Sequence, residues 1–229
     1  MSQGSQKANA NKLLPEEENH LVATVIRYLM VADRSKTVIQ RRNIVAHALP
    51  NHSKYYRTIM PQVSTTLRNV FGFNLVELEG SKYILTNNIQ NNVPHLNFSK
   101  KEKMEMVLCF IALSHIFMCG ENGCSEEELL KLFMTLEIIE EDNFMNDYFG
   151  NVKQLLTDKF VKQGYLDLVV VDKSDPPIKH YQWGPRAENE LTPRQVLEFM
   201  SKIFGGRPLN TWPEQFKIMQ TREDLNASV

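Results

Sequence analysis

Twice in this chain an amphipathic helix runs into a glycine, an aromatic residue and a strand. The first junction lies in "VFGFNLVELEGSKYIL", from Val70 to Leu85, and the second in "FVKQGYLDLVVV", from Phe160 to Val171. A glycine that ends a helix is suited to left-handed backbone, and an apolar stripe that changes period from 3.6 to 2 marks helix giving way to strand. Upstream of the first junction, "LLPEEENHLVATVIRYLM" predicts a helix. Pro15 suits its first turn, Glu16, Glu17 and Glu18 face the positive end of its dipole, and Leu21, Val22, Val25, Ile26 and Leu29 form its apolar stripe. A short helix is predicted near 40–48 and a third over 57–71. In the third, Ile59, Met60, Val63, Leu67, Val70 and Phe71 share a face. Val76, Leu78, Tyr83 and Leu85 flank Glu79-Gly80-Ser81 as a β-hairpin. Three helices followed by a hairpin is the order of a winged helix.

The order then repeats. A helix is predicted over 99–118, a second after the cap Ser125 with Glu128 three residues on, and a third near 151–162. Two strands follow across the loop "DKSDPPI", and a last helix runs from Pro193 to Phe204, capped by Thr192 and stopped by Gly205-Gly206. The fold class is therefore mainly α with small β-hairpins, as two tandem winged-helix units. The expected division is a disordered tail at 1–14, winged helix A at 15–86, a linker at 87–98, winged helix B at 99–207 and a C-terminal tail at 208–229.

Length and charge narrow the function. A chain of 229 residues suits one large domain or two of ordinary size. The net charge of -1 gives no global attraction to nucleic acid, but the charge is unevenly spread. Arg34 to Asn69 holds seven Lys or Arg and no acid, whereas Glu121 to Asp147 holds nine acids and one Lys. Three cysteines, Cys109, Cys119 and Cys124, fit reduced thiols better than a disulfide framework. The longest apolar run, Met104 to Cys119, contains Glu105 and His115 and reads as a buried helix, so no membrane association is expected. There is no phosphate-binding glycine loop and no HExxH pair, and Cys119 and Cys124 lack a second ligand pair at zinc spacing. Cys109 and His115 are expected to be buried on the apolar helix. No enzyme activity, cofactor or metal is expected.

The motifs "VFGFNLVELEGSKYIL", "QLLTDKFVKQGYLDL", "SDPPIKHYQWGPRAENE" and "QVLEFMSKIFGGRPLNTWPEQF" resemble the MAGE homology domain, named for the melanoma-associated antigens. The resemblance runs through roughly residues 17–220. "LVELEGSKYIL" with "QWGPR" and "WPEQF" is most similar to the MAGE-like subunit of the Smc five–six chromosome complex, in the form of a compact invertebrate member. The resemblance implies a scaffold without catalysis of its own. It would bind a RING-type ubiquitin ligase subunit, stimulate that ligase, hold a kleisin subunit and contribute to double-stranded DNA binding in DNA repair. It implies a nuclear, chromatin-bound location, with the cytoplasm also open. The alternatives are a free-standing winged-helix DNA-binding regulator, or a substrate adaptor for another RING ubiquitin ligase.

Candidate residues follow from the resemblance and from the helical wheel. A leucine pair that supports RING binding in the family matches Leu29-Met30 here, although core packing of both is the competing reading. The DNA candidates are Arg41, Arg42, Lys54, Arg57 and Arg68 in the first unit. Lys153, Lys159 and Lys162 are those of the second. An ordinary solvated face is the alternative for both sets, and the favoured one for the second. An apolar trough for a kleisin helix would use Phe144, Met145, Tyr148 and Phe149, which otherwise simply cover the core. Trp183, Gly184, Pro185 and Arg186 read as a structural corner after the last strand.

Overall fold

The computed structural model describes residues 13–88, 99–173 and 178–227. Most of the expected N-terminal tail, most of the 87–98 linker and the centre of the "DKSDPPI" loop lie outside the described residues. The chain divides into two compact units, Met1–Gln90 and Asn91–Val229.

In the first unit α1 spans Pro15–Ala32 and begins with its three glutamates in the first turn. A two-residue strand, β1 (Ile39–Gln40), leads into α2 (Arg41–Ala48). Then α3 (Tyr56–Thr66) continues as a π-helical turn, Leu67–Phe71, which ends at Gly72 with φ 70°. The hairpin β2 (Phe73–Leu78) and β3 (Lys82–Asn87) pairs antiparallel, Leu75 opposite Leu85, and β1 adds to β3 to give the order β1-β3-β2. The core gathers Leu21, Val25, Leu29, Ile44, Ile59, Val63 and Leu67 beneath the sheet residues Tyr83 and Leu85. The α1 stripe is buried as the periodicity implies.

The second unit repeats this plan. After α4 (Lys100–Met118), β4 (Cys124–Ser125) and α5 (Glu126–Thr135) comes a small ribbon, β5 (Met145–Asn146) with β6 (Gly150–Asn151). Next come α6 (Val152–Gln154), a π-helical turn over Leu155–Lys159, and α7 (Phe160–Gln163). β7 (Leu166–Asp172) and β8 (Ile178–Trp183) form the wing, and the sheet order β4-β8-β7 matches that of the first unit. The capping boxes Ser99–Glu102 and Ser125–Glu128 start α4 and α5. The chain is thus mainly helical with small antiparallel sheets, as two winged-helix units. The extra strand ahead of each second helix, β1 and β4, escaped sequence reading because two residues are too short to show a period.

Two sequence expectations change. The C-terminal stretch 208–229 carries a helix, α10 (Pro213–Ala227), where a tail is expected. After α8 (Pro185–Glu190) and α9 (Pro193–Ile203), Met219 of α10 packs with Phe117, Val196 and Leu197 in a separate small core. Gln215 adds a hydrogen bond from Nε2 to the Met118 carbonyl at 2.9 Å. The burial that orders α10 comes from α4 and α9, which its own weak apolar pattern does not reveal. The second change concerns α3. Val70 and Phe71 continue the core stripe on an ideal α-helix, but they are 70% and 44% exposed. The π-helical turn widens the helix by one residue and turns both out of the stripe's phase.

Candidate functional site

The α1–α3 face carries an apolar groove. Val22, Ile26, Met30 and Val31 from α1 face Val70 and Phe71 from the π-helical turn across a groove. A 3.3 Å hydrogen bond from Gln62 to Asn19 crosses between the same two helices. Of the expected pair, Leu29 is fully buried in the core, so a partner reaches it only through packing, while Met30 is 36% exposed. Sequence reasoning missed Val31, which is 62% exposed, and misplaced Val70 and Phe71. No local signal marks them, because a π-helical turn is decided by tertiary packing.

The basic residues of the first unit lie on α2 (Arg41, Arg42), about the start of α3 (Lys54, Arg57) and in the π-helical turn that follows it (Arg68). Arg41 stacks over the Tyr56 ring at 4.6 Å and Lys54 over Tyr55 at 4.7 Å. Arg42, Arg57 and Arg68 are exposed. The region is acid-free along the chain but not in space. Glu77 of β2 lines the same concavity as Arg41 and Arg57, and accepts a 2.8 Å hydrogen bond from the Tyr83 hydroxyl. Burial raises the Tyr83 phenol, with hydrogen bonds to Tyr56 and Glu77 adding to the effect.

In the second unit the three lysines have intramolecular partners. Lys159 reaches the buried Glu105 at 2.5 Å, Lys162 pairs with Asp158 at 2.6 Å, and Lys153 sits over the Phe144 ring at 4.8 Å. Holding Glu105 is a structural duty for Lys159, since an unpaired buried carboxylate is costly. Phe144 and Phe149 pack partly against the core, whereas Met145 and Tyr148 are 60% and 55% exposed. The ribbon is built by Asn146. Its Oδ1 accepts from the backbone N–H of Tyr148 at 2.8 Å and of Phe149 at 3.0 Å, and its Nδ2 donates to the Ile138 carbonyl at 2.9 Å.

The corner after β8 is densely bonded. Trp183 Nε1 donates to the Leu113 carbonyl at 2.8 Å, and its ring lies 5.7 Å from that of Phe117. A β-carbon on Gly184 would sit 2.4 Å from the Gly164 carbonyl oxygen, so only glycine fits. Arg186 is fully buried. Its Nε donates to the Gln163 carbonyl at 2.8 Å, and its Nη1 meets Glu190 at 3.2 Å. The sequence motif at the helix-to-strand junction, Gly164-Tyr165, thus packs against the motif that ends the wing.

One cluster departs from the expected burial. His115 is half-buried rather than enclosed, and its Nε2 lies 3.6 Å from Cys119 Sγ at the end of α4. The Cys119 thiol is held well below the ordinary thiol range, first by its hydrogen bond with Cys124 and next by that with His115. Among the described residues, no helix is long and apolar enough to cross a membrane.

Comparison with known proteins places these features in context. The profile of the MAGE homology domain matches residues 25–194. The chain is 30% identical over 233 residues to the mouse non-structural maintenance of chromosomes element 3 homolog, covering 99% of this chain and 82% of that protein. It is 29% identical to the human homolog over 221 residues, covering 93% and 71%. Human melanoma-associated antigen D2 is 30% identical over 206 residues, which is 89% of this chain but 33% of that protein. Among solved structures, a chain of an Nse1-Nse3-Nse4 complex superimposes with a TM-score of 0.81 at 34% identity, over 91% of this chain and 100% of that one.

Proposed function

This chain belongs to the MAGE homology domain family, and on that premise we propose that it is a non-catalytic scaffold subunit of an Smc five–six type chromosome-maintenance complex, acting in the nucleus. The observation that carries this reading is the similarity to a chain of the Nse1-Nse3-Nse4 complex, which extends over both units at 34% identity. In this reading a RING-type ubiquitin ligase subunit and a kleisin subunit bind the chain. The ubiquitin-transfer chemistry belongs to the RING subunit, which this chain stimulates by holding it.

The surfaces suit that division of labour. The α1–α3 groove offers the RING subunit exposed apolar side chains at Met30, Val31, Val70 and Phe71, and apolar burial at the centre of a patch supplies most of the energy of an interface. Met145 and Tyr148, raised on the β5–β6 ribbon, offer the kleisin helix a smaller apolar contact within an acidic stretch. Arg42, Arg57 and Arg68 supply phosphate contacts to double-stranded DNA.

Co-expression of the full chain with a RING subunit and a kleisin should yield a ternary complex that survives size-exclusion chromatography. Met30→Asp with Phe71→Asp should release the RING subunit and retain the kleisin, in a chain whose circular dichroism stays native, because both side chains are partly exposed. A chain that elutes alone in the presence of both partners sinks the proposal.

A further inference from the structure

Three side chains that play no part in these surfaces meet where α4 ends. His115 and Cys119 stand four residues apart on α4 and its C-cap, one helical turn apart on the same face. The chain then reverses through Gly120-Glu121-Asn122-Gly123. Gly120 and Gly123 adopt φ of 100° and 71°, and the turn is closed by Gly123 N–H donating to the Gly120 carbonyl at 3.1 Å. A β-carbon at Gly123 would lie 2.0 Å from the Tyr181 carbonyl oxygen, so glycine is required for β4 to approach β8. The reversal brings Cys124, fully buried on β4, back beside Cys119. His115 Nε2 and the two Sγ atoms all lie within 4.8 Å of one another.

We propose that His115, Cys119 and Cys124 form a binding site for one zinc ion. One donor pair already has the spacing of a zinc site, and the third donor lies close enough to reach it by a small side-chain adjustment. A nitrogen about 2.05 Å and a sulfur about 2.3 Å from a tetrahedral zinc stand about 3.6 Å apart, and His115 Nε2 and Cys119 Sγ stand 3.6 Å apart. Two thiolates and an imidazole are the donors that zinc prefers, while magnesium and calcium take oxygen ligands. On binding, both sulfurs bond the metal as thiolates, and any proton that a sulfur still carries leaves to solvent. The metal stays divalent, so no electron moves. The two thiolates cancel its charge, which makes a half-buried ion tolerable. Cys119 is on the exposed side, so the fourth position takes a water molecule. The ion would tie the last turn of α4 to the first strand of the β4-β8-β7 sheet, just before Ser125 caps α5.

The spacing His-x3-Cys-x4-Cys was legible in the sequence, where the two cysteines alone looked short of ligands. The histidine one turn earlier supplies the third, and the double-glycine turn closes the set.

Cobalt(II) titration of the reduced full chain tests the site, because tetrahedral cobalt bound to thiolates has visible d–d bands and a near-ultraviolet charge-transfer band. The expected result is saturation at about one equivalent per chain, with displacement by zinc. Both bands should be lost in Cys119→Ser and in His115→Gln, whose circular dichroism stays native, and kept in Cys109→Ala. A reduced, folded wild-type chain that develops no bands overturns the proposal. So do bands that survive Cys119→Ser or His115→Gln. Protein isolated from cells with a Cys119–Cys124 disulfide and no cobalt binding after reduction would identify the pair as a redox couple instead.

Discussion

Trp183 and Arg186 show how single residues hold the second unit together. Trp183 packs against both the winged-helix core and the small core formed by α4, α9 and α10, so it seals the seam between them. Trp183→Ala should cost about 3 kcal/mol, toward the low end for large aromatic truncations because the ring is only half-buried, measured by urea unfolding. Binding of partners lost with no change in stability would instead make the corner a contact surface. Arg186 is fully buried between the Gln163 carbonyl and Glu190. Its removal leaves Glu190 without its guanidinium and the Gln163 carbonyl without that donor. Arg186→Ala should therefore cost about 3–5 kcal/mol by the same measurement.

At the scale of the element, α3 combines two faces of different character. One end carries the apolar Val70 and Phe71, and the outward face carries Arg57 and Arg68. Arg57→Glu with Arg68→Glu should weaken duplex DNA binding by several kcal/mol at low salt and reduce the salt slope by about 2 or more. Binding indifferent to both salt and these changes would show that the face is not a DNA site. Recovery of one consensus sequence from random DNA would favour a free-standing regulator. Capping matters at the same scale. At the start of α4, hydrogen bonds from the Ser99 hydroxyl and backbone N–H hold the Glu102 carboxyl below its ordinary 4.5. A lowered folded-state value stabilises above the unfolded value and is lost as pH falls through the folded one. Glu102→Gln should therefore flatten the loss of stability below about pH 4.5, read from melting temperatures across an acid series.

At the scale of the molecule, each unit has its own contiguous core and its own three-stranded sheet. A fragment of residues 1–90 should fold cooperatively alone, with dispersed amide resonances and a single thermal transition. A molten fragment would mean that the first unit depends on the second. The repeated plan also suits the proposed scaffold role, in which each unit would offer a face of its own to a partner.

Much of this protein was legible in its sequence because the signals are local. Capping boxes, the α1 stripe, the two glycine–aromatic junctions and the Trp-Gly-Pro-Arg corner specify helices, wings and family from residues close in the chain. What tertiary structure alone decided depends on contacts between distant residues. Packing, and no local propensity, sets the π-helical turn that rotates Val70 and Phe71 into a surface groove. It orders the C-terminal helix through the α4 and α9 surfaces, and it brings Glu77 among the basic residues. It commits Lys159 to the buried Glu105. It also gathers His115, Cys119 and Cys124, because a strand pairing draws β4 to β8 and carries one cysteine back to the other.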